Sequence, residues 1–161
     1  MTIALLAAGT AGLALLASSV CDLRRFEIPD SISIVILVSA IVFGLVTPGF
    51  PWGWHAAGLA VMFAAGLALF AAGWMGGGDI KLFVAMAAWT GLKGLPTFFL
   101  ATVIAGGALA AVLLISRSGF RLAGFESDRM PGPLKPGAPL PYALAITAGA
   151  FWWASRSPLF Q

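Results

Sequence analysis

The sequence has few charged residues, one cysteine and one histidine. Charged side chains make up only 9% of the 161 residues, whereas soluble domains carry about 25%. A single cysteine, Cys21, excludes an internal disulfide framework and a cysteine-based zinc site. A single histidine, His55, leaves no Ser-His-Asp triad near an acidic motif, and we expect it at a membrane interface. We therefore expect neither a metal nor another cofactor.

The basic residues do not form a cluster that would suit nucleic acid. The net charge of +3 comes from nine basic and six acidic side chains spread along the chain. Phosphate recognition needs a clustered basic face, so no nucleic-acid partner is expected. Hydrophobic residues make up 60% of the sequence, which indicates that the chain lies in a membrane and has lipids as its surroundings.

Long apolar segments dominate what remains. A helix that spans a hydrocarbon core of about 30 Å needs about 20 apolar residues. Six segments approach this length: 2–20, 31–47, 55–73, 80–91, 96–116 and 141–155. The first lacks the basic start of a signal peptide, so we expect it to be retained. The sequence predicts an all-α membrane protein with one domain, residues 1–161, built as a bundle of six transmembrane helices.

The distribution of basic residues predicts the orientation of this bundle. If the six segments alternate in direction, one side carries Arg24, Arg25, Lys81, Arg117, Arg121, Arg129 and Lys135, and the other carries Lys93 and Arg156. Basic residues favour the cytoplasmic side. We therefore predict that both termini lie on the non-cytoplasmic side. Residues 117–140, rich in proline, are predicted to form an irregular cytoplasmic loop that either covers a site or serves as a linker.

Two aspartates fall on this cytoplasmic side, at the ends of apolar segments. Asp22 follows the first segment, where a helix dipole disfavours negative charge. Asp79 follows three glycines and precedes the fourth segment, so it also suits a helix N-cap. Carboxylates at a membrane edge are candidates for function. Two adjacent carboxyls share a proton, so that one can activate water while the other protonates an amide. The helix ends favour Asp79 as the base and Asp22 as the acid.

The neighbouring polar residues have other predicted roles. Asp30 is predicted to cap the second helix, and Glu27 is predicted to be a surface acid. A weaker hypothesis gives both acids the task of attracting a basic substrate segment. Lys81 either neutralises a lipid phosphate or tunes Asp79, and the sequence does not separate these roles. The three glycines leave bare backbone where an extended peptide can approach: Gly76, Gly77 and Gly78.

These motifs resemble those of the type IV prepilin peptidases, which are polytopic aspartyl proteases of the GxGD type. Residues 76–81 (Gly-Gly-Gly-Asp-Ile-Lys) look like the GxGDxK box of that family. Residues 22–24 (Asp-Leu-Arg), followed by Ile28 and Pro29, are similar to its first motif. Residues 140–146, with Pro141 and Tyr142, are similar to its last helix. The similarity thus extends from the first segment to the last.

The resemblance implies a function and a set of site residues. It implies removal of the short basic leader from prepilins or pseudopilin precursors at the cytoplasmic face of the bacterial inner membrane. Asp22 and Asp79 take the positions of the catalytic aspartates. The residues implied to bind substrate or shape the site are Gly76, Gly77, Gly78, Lys81, Arg24, Ile28, Pro29, Glu27, Asp30, Pro141 and Tyr142.

Two departures from the family pattern indicate which form of the family the chain resembles. Asp30 stands where the family often has asparagine after Ile-Pro. Larger members also insert a segment with paired cysteines after the first helix and methylate the new N-terminus, whereas here only residues 21–30 separate the first two segments. The chain therefore resembles the compact form of tight-adherence (Flp) pilus systems, without methyltransferase activity. Whether it forms a homo-oligomer stays open.

The same residues also allow other functions. The first alternative is a small transporter or proton-coupled carrier with Asp22 and Asp79 as a relay. Carriers usually show repeated halves and a site at the membrane midplane, and neither feature is evident here. A second alternative, a non-enzymatic assembly factor, leaves the paired acids unexplained.

Overall fold

Helices form almost all of the regular structure. A computed structural model describes residues 1–123 and 132–160. Within these ranges the α-helices are α1 (Thr2–Arg25), α2 (Asp30–Val46), α3 (Trp52–Ala71), α4 (Gly77–Leu122) and α5 (Ala143–Ala154). A short 3-10 turn, Gly132–Leu134, lies between the last two. The predicted all-helical class is confirmed.

Three of these helices are long and apolar enough to cross a membrane. They are α1, α3 and α4, while α2 and α5 are apolar but shorter. Their outer surfaces carry exposed leucines, valines and phenylalanines, as expected where lipid replaces water around the protein. The chain is therefore a helical membrane protein. Six crossings and the orientation of the termini stay predictions.

The fourth helix, α4, folds back on itself at Gly91. That residue has φ +59°, a conformation that suits glycine, and it interrupts the helical geometry. The rings of Phe83 and Phe98 lie 5.5 Å apart, although fifteen residues of straight helix would separate them by about 22 Å along the axis. Residues 77–90 and 92–122 are therefore two packed arms. The predicted connection at residues 92–95 is wrong, because a single glycine makes the reversal.

The ends of two helices also lie beyond their predicted limits. The first helix, α1, continues to Arg25 and ends where Phe26 adopts a left-handed conformation. Asp22 is therefore in its last turn rather than in a loop. The second arm of α4 continues to Leu122, so the predicted loop starts later than residue 117. Part of that loop, residues 124–131, and with it Arg129, lies outside the described residues.

Small residues set the distances between the helices. A Cβ on Gly58 of α3 would lie 2.6 Å from the backbone of Gly91. A Cβ on Gly149 of α5 would overlap the side chain of Thr102 and lie 2.8 Å from its backbone nitrogen. Such approaches are typical of membrane helices, where packing replaces the hydrophobic effect. They hold α3 and α5 close against α4.

Candidate active site

Asp22 binds the start of another helix. Its side chain is buried, and its Oδ2 accepts a hydrogen bond of 2.9 Å from the backbone N–H of Ala143, the first residue of α5. A helix N-terminus has unpaired N–H groups and a partial positive charge, so it favours an anion. The sequence predicted that Asp22 sits at an unfavourable helix C-terminus. The partial positive charge at the start of α5 offsets the unfavourable effect of the α1 C-terminus on the Asp22 carboxylate.

A buried polar network fixes α1 against α5 next to Asp22. The hydroxyl oxygens of Ser19 and Thr147 lie 2.8 Å apart, and Thr147 donates a bond of 3.0 Å to the carbonyl of Leu15. Ser19 also lies 3.3 Å from the carbonyl oxygen of Ala143. These contacts hold the first turn of α5 where its N–H meets Asp22. Sequence reasoning missed Ser19 and Thr147, although polar residues inside apolar segments were a usable signal.

Asp79 lies in the first turn of α4. The helix begins at Gly77, Gly76 occupies the N-cap position, and no side chain makes a capping hydrogen bond there. The alternative in which Asp79 is the N-cap is therefore wrong. The side chain is partly buried, and its charge interacts through space with that of Asp22. Both carboxylates thus lie at helix N-termini, at the same end of the bundle.

The glycines before Asp79 make room mainly for side chains of this chain. A Cβ on Gly78 would lie 3.3 Å from the side chain of Ile28, and one on Gly77 would lie 3.5 Å from Phe70. A Cβ on Gly76 would lie 3.6 Å from the Asp79 carboxylate. Only the contact at Gly78 is tighter than an ordinary van der Waals contact. Backbone open to a substrate at Gly76 and Gly77 stays a prediction.

Lys81 and Asp30 form an ion pair. Lys81 Nζ lies 2.6 Å from Asp30 Oδ1, and both side chains are more than half exposed. The pair joins the starts of α2 and α4. Asp30 is the first helical residue, while Pro29 is at the N-cap position and no side chain caps the helix. The predicted capping role of Asp30 is therefore wrong, although an acid in a first turn still suits the helix dipole.

Tyr142 closes the other side of the site. Pro141 is fully buried before α5, and the Tyr142 ring packs on the second arm of α4, where a Cβ on Gly106 would lie 2.7 Å from it. The Tyr142 side chain is half-buried and lies within range of the Asp79 charge, so its phenol supplies a hydrogen-bond donor at this end of the bundle.

Other predicted site residues lie at the surface of this end. Arg24, in the last turn of α1, and Glu27, in the connection to α2, are both exposed.

Arg117 has a role that the sequence did not indicate. Its guanidinium donates hydrogen bonds of 2.7 and 3.0 Å to the carbonyl of Pro133 and one of 2.9 Å to that of Ala138. It ties the segment before α5 to α4.

His55 lies at the opposite end of the bundle, and its position at a membrane interface stays a prediction. It is 7% exposed, and its Nδ1 lies 2.8 Å from the carbonyl oxygen of Ala88. A carbonyl only accepts, so Nδ1 carries the proton. The ring lies against Gly91, where a Cβ would be 3.3 Å away. His55 therefore supports the reversal of α4 and is far from both aspartates.

Comparison with known proteins adds independent evidence. The sequence profile of the type IV leader peptidase family matches residues 10–111, a range that includes both aspartates. A prepilin leader peptidase/N-methyltransferase of Bacillus subtilis is 31% identical over 134 residues, which are 82% of this chain and 48% of that protein. The chain thus spans about half the length of this curated relative. No solved structure matches the present chain.

Proposed function

The chain belongs to the type IV leader peptidase family, and on that premise we propose that it is an aspartic endopeptidase for prepilins or pilin-like precursors. It removes their short leader peptide. One arrangement carries this proposal: Asp22 and Asp79, from separate helices, lie at the same end of the bundle, where Ile28 packs against Gly78 next to Asp79 and the two charges interact. Membership of this family does not favour the alternative function, a proton-coupled carrier. The carrier has no support beyond the same two aspartates.

The proposed chemistry needs one ionised and one protonated carboxyl. The ionised group takes a proton from water, which attacks the scissile carbonyl, and the other group gives its proton to the leaving amine. The helix ends alone suggested Asp79 as base and Asp22 as acid. Both carboxylates lie at helix N-termini, so this reason for the assignment no longer applies. The pair is best treated as one titrating unit.

We place the site at the cytoplasmic face of a bacterial inner membrane. The described basic residues near this end of the bundle support that orientation: Arg24, Arg25, Lys81, Arg117, Arg121 and Lys135. The same face exposes Glu27. Residues 1–161 then act as a single peptidase domain in six crossings, with each arm of α4 as one crossing.

An apolar groove beside Asp79 suits the hydrophobic helix of a precursor. It has a volume of about 400 Å³ and lies between α2, α3 and the first arm of α4. Phe63 and Leu67 line it from α3, and Gly77 and Ile80, next to Asp79, line its end near the site. A helix lying in this groove would present its leader junction to the carboxylates. The ion pair of Lys81 and Asp30 stands at the same end.

Removing an aromatic wall of the groove is expected to weaken substrate binding. Phe63 is 60% exposed, so Phe63→Ala should leave the fold and kcat close to normal. It should raise KM for a full precursor about fivefold, because lost apolar contact weakens binding by about 1 kcal/mol. Phe99→Ala, at an exposed phenylalanine outside the groove, is the matched control. Equal KM values for the two variants would exclude the groove.

We also propose that the chain is a compact peptidase of the tight-adherence type without methyltransferase activity. Its support is the short connection between α1 and α2, in which only residues 26–29 lie outside the helices. The larger members of the family carry an insertion at this point. Mass spectrometry of a cleaved product would test the proposal, since a methylated N-terminus is heavier than a free one by the mass of one CH₂ group, about 14 Da.

Cleavage itself can be tested by co-expression with a candidate precursor. The precursor should have a short basic leader followed by one hydrophobic helix. We expect a mobility shift on a gel, and mass spectrometry should place the new N-terminus at the leader junction. Precursors that stay intact with an abundant, membrane-inserted enzyme, across a panel of such substrates, would contradict the proposed activity.

A further inference from the structure

A second cavity lies at the end of the bundle opposite the aspartates. Its volume is about 460 Å³, and it is bounded by the start of α3, the reversal of α4 and the segment after α5. Lys93 and Arg156, the two basic residues predicted for this side of the membrane, both line it. Among the described residues that line it, none is acidic. The cavity is therefore a positively charged site for which the proposed peptidase chemistry has no use.

Both cations are held over aromatic rings. Lys93 Nζ lies 4.5 Å from the centre of the Trp54 ring, and the Arg156 guanidinium lies 3.8 Å from that of Trp152. Within the described ranges neither is paired with a carboxylate. Cation–π contacts position a charge without neutralising it. Trp54 and Trp152 are about half exposed, as tryptophans are at a membrane interface. The charges thus stay available to an anion at headgroup level.

A buried hydroxyl in the cavity wall lacks a partner. Thr90 is 6% exposed and lines the cavity, and its Oγ1 makes no hydrogen bond with any described residue. An unpaired buried hydroxyl costs about 1–3 kcal/mol. Threonine in a helix has two accessible χ1 positions. Rotation toward the cavity would let the hydroxyl donate to an oxygen of a bound anion.

The charged cavity continues into an apolar groove. Thr97 lines both, and the groove runs from it along the second arm of α4 and α5, with a volume of about 460 Å³. Its walls include Leu100, Ala101 and Ala105. A cationic cavity that leads into an apolar groove matches a molecule with an anionic head and a hydrocarbon tail. A soluble anion would occupy only the charged cavity and would leave the apolar groove empty.

We propose that this site binds one anionic phospholipid. The phosphate lies between Lys93 and Arg156, with the Thr90 hydroxyl as a donor, and one acyl chain lies in the groove against Ala105. Bound there, the lipid joins α3, the reversal of α4 and the end of α5. The site is independent of the peptidase proposal, because none of its residues belongs to the candidate active site.

Lipid titration of the purified protein tests this inference. Native mass spectrometry from detergent should detect one bound phosphatidylglycerol per chain, and phosphatidylcholine should bind more weakly. The double variant Lys93→Gln/Arg156→Gln should weaken phosphatidylglycerol binding about tenfold or more, because it removes two charge-assisted contacts. The matched control is Arg121→Gln/Lys135→Gln, which removes the same two charges at the other end and should bind as the wild type does.

Further measurements distinguish a lipid headgroup from free inorganic phosphate as the bound anion. Ala105→Trp, which fills the groove, should also reduce phosphatidylglycerol binding, whereas millimolar inorganic phosphate should not displace the lipid. The thermal midpoint of each variant without lipid confirms that it is folded. Equal binding of phosphatidylcholine, unchanged binding by the Lys93→Gln/Arg156→Gln variant, or displacement by inorganic phosphate would each overturn the proposal, the last in favour of a soluble anion.

Discussion

Asp22→Asn and Asp79→Asn are each expected to reduce precursor cleavage by at least about 10³-fold, because either change removes one half of the acid–base pair. An amide neither takes a proton from water nor donates one as an acid to a leaving amine. The two groups act as a unit, so the double variant should be no worse than either single variant. Initial cleavage rates of a purified precursor in detergent or in liposomes would measure the loss.

The amide substitutions are chosen to preserve the fold. The side-chain amide introduced by Asp22→Asn keeps an oxygen that can accept the bond from the Ala143 N–H, which is 2.9 Å from the Asp22 carboxylate in the wild type. Both variants should therefore accumulate in the membrane at normal levels. Glu27→Gln is the matched control, since it makes the same change at an exposed acid of the same end and should leave turnover largely intact. Full processing by either aspartate variant would exclude the catalytic pair.

Gly58→Ala is expected to destabilise the protein by about 3 kcal/mol through overpacking. The added methyl would lie 2.6 Å from the carbonyl carbon of Gly91 and from the nitrogen of Leu92. These are backbone atoms at the reversal of α4, so they cannot move aside as a flexible side chain does. The change should push α3 away from that reversal and lower both the thermal midpoint and the amount of folded protein in the membrane.

Gly53→Ala gives a control on the same helix. A Cβ there meets nothing within 4 Å, and alanine is intrinsically favoured over glycine inside a helix by about 1 kcal/mol. The thermal midpoint of Gly53→Ala should therefore equal or exceed that of the wild type. If Gly58→Ala is as stable as Gly53→Ala, then α3 and the reversal of α4 are not packed as closely as described.

Much of the fold followed from the sequence because apolar length and charge are strong signals in a membrane protein. The predicted second segment, 31–47, differs by one residue at each end from α2, Asp30–Val46. Counting segments also predicted that Asp22 and Asp79 lie on the same side, and in the structure both lie at one end of the bundle. The bounds of a helix and the side on which it ends follow from local composition, which a single sequence contains.

Contacts between distant segments could not be predicted in the same way. The bond from Ala143 to Asp22 joins residues that are 121 positions apart, and the pair of Lys81 and Asp30 joins residues 51 apart. No local pattern identifies such partners. The reversal at Gly91 was missed for another reason. Residues 92–95, with Lys93 and Gly94, suggested a connection between two apolar segments, but one glycine with positive φ allows both arms to stay helical.

Cysteine crosslinking tests most directly whether the two aspartates converge. In a Cys21→Ser background, Asp22→Cys/Asp79→Cys should be joined within one chain by a short bifunctional thiol reagent. Asp22→Cys/Lys93→Cys, whose second position lies at the opposite end of the bundle, should remain unjoined. If residues 22 and 79 fail to crosslink although each cysteine reacts on its own, the carboxylates do not share a site, and the proposed peptidase mechanism is contradicted.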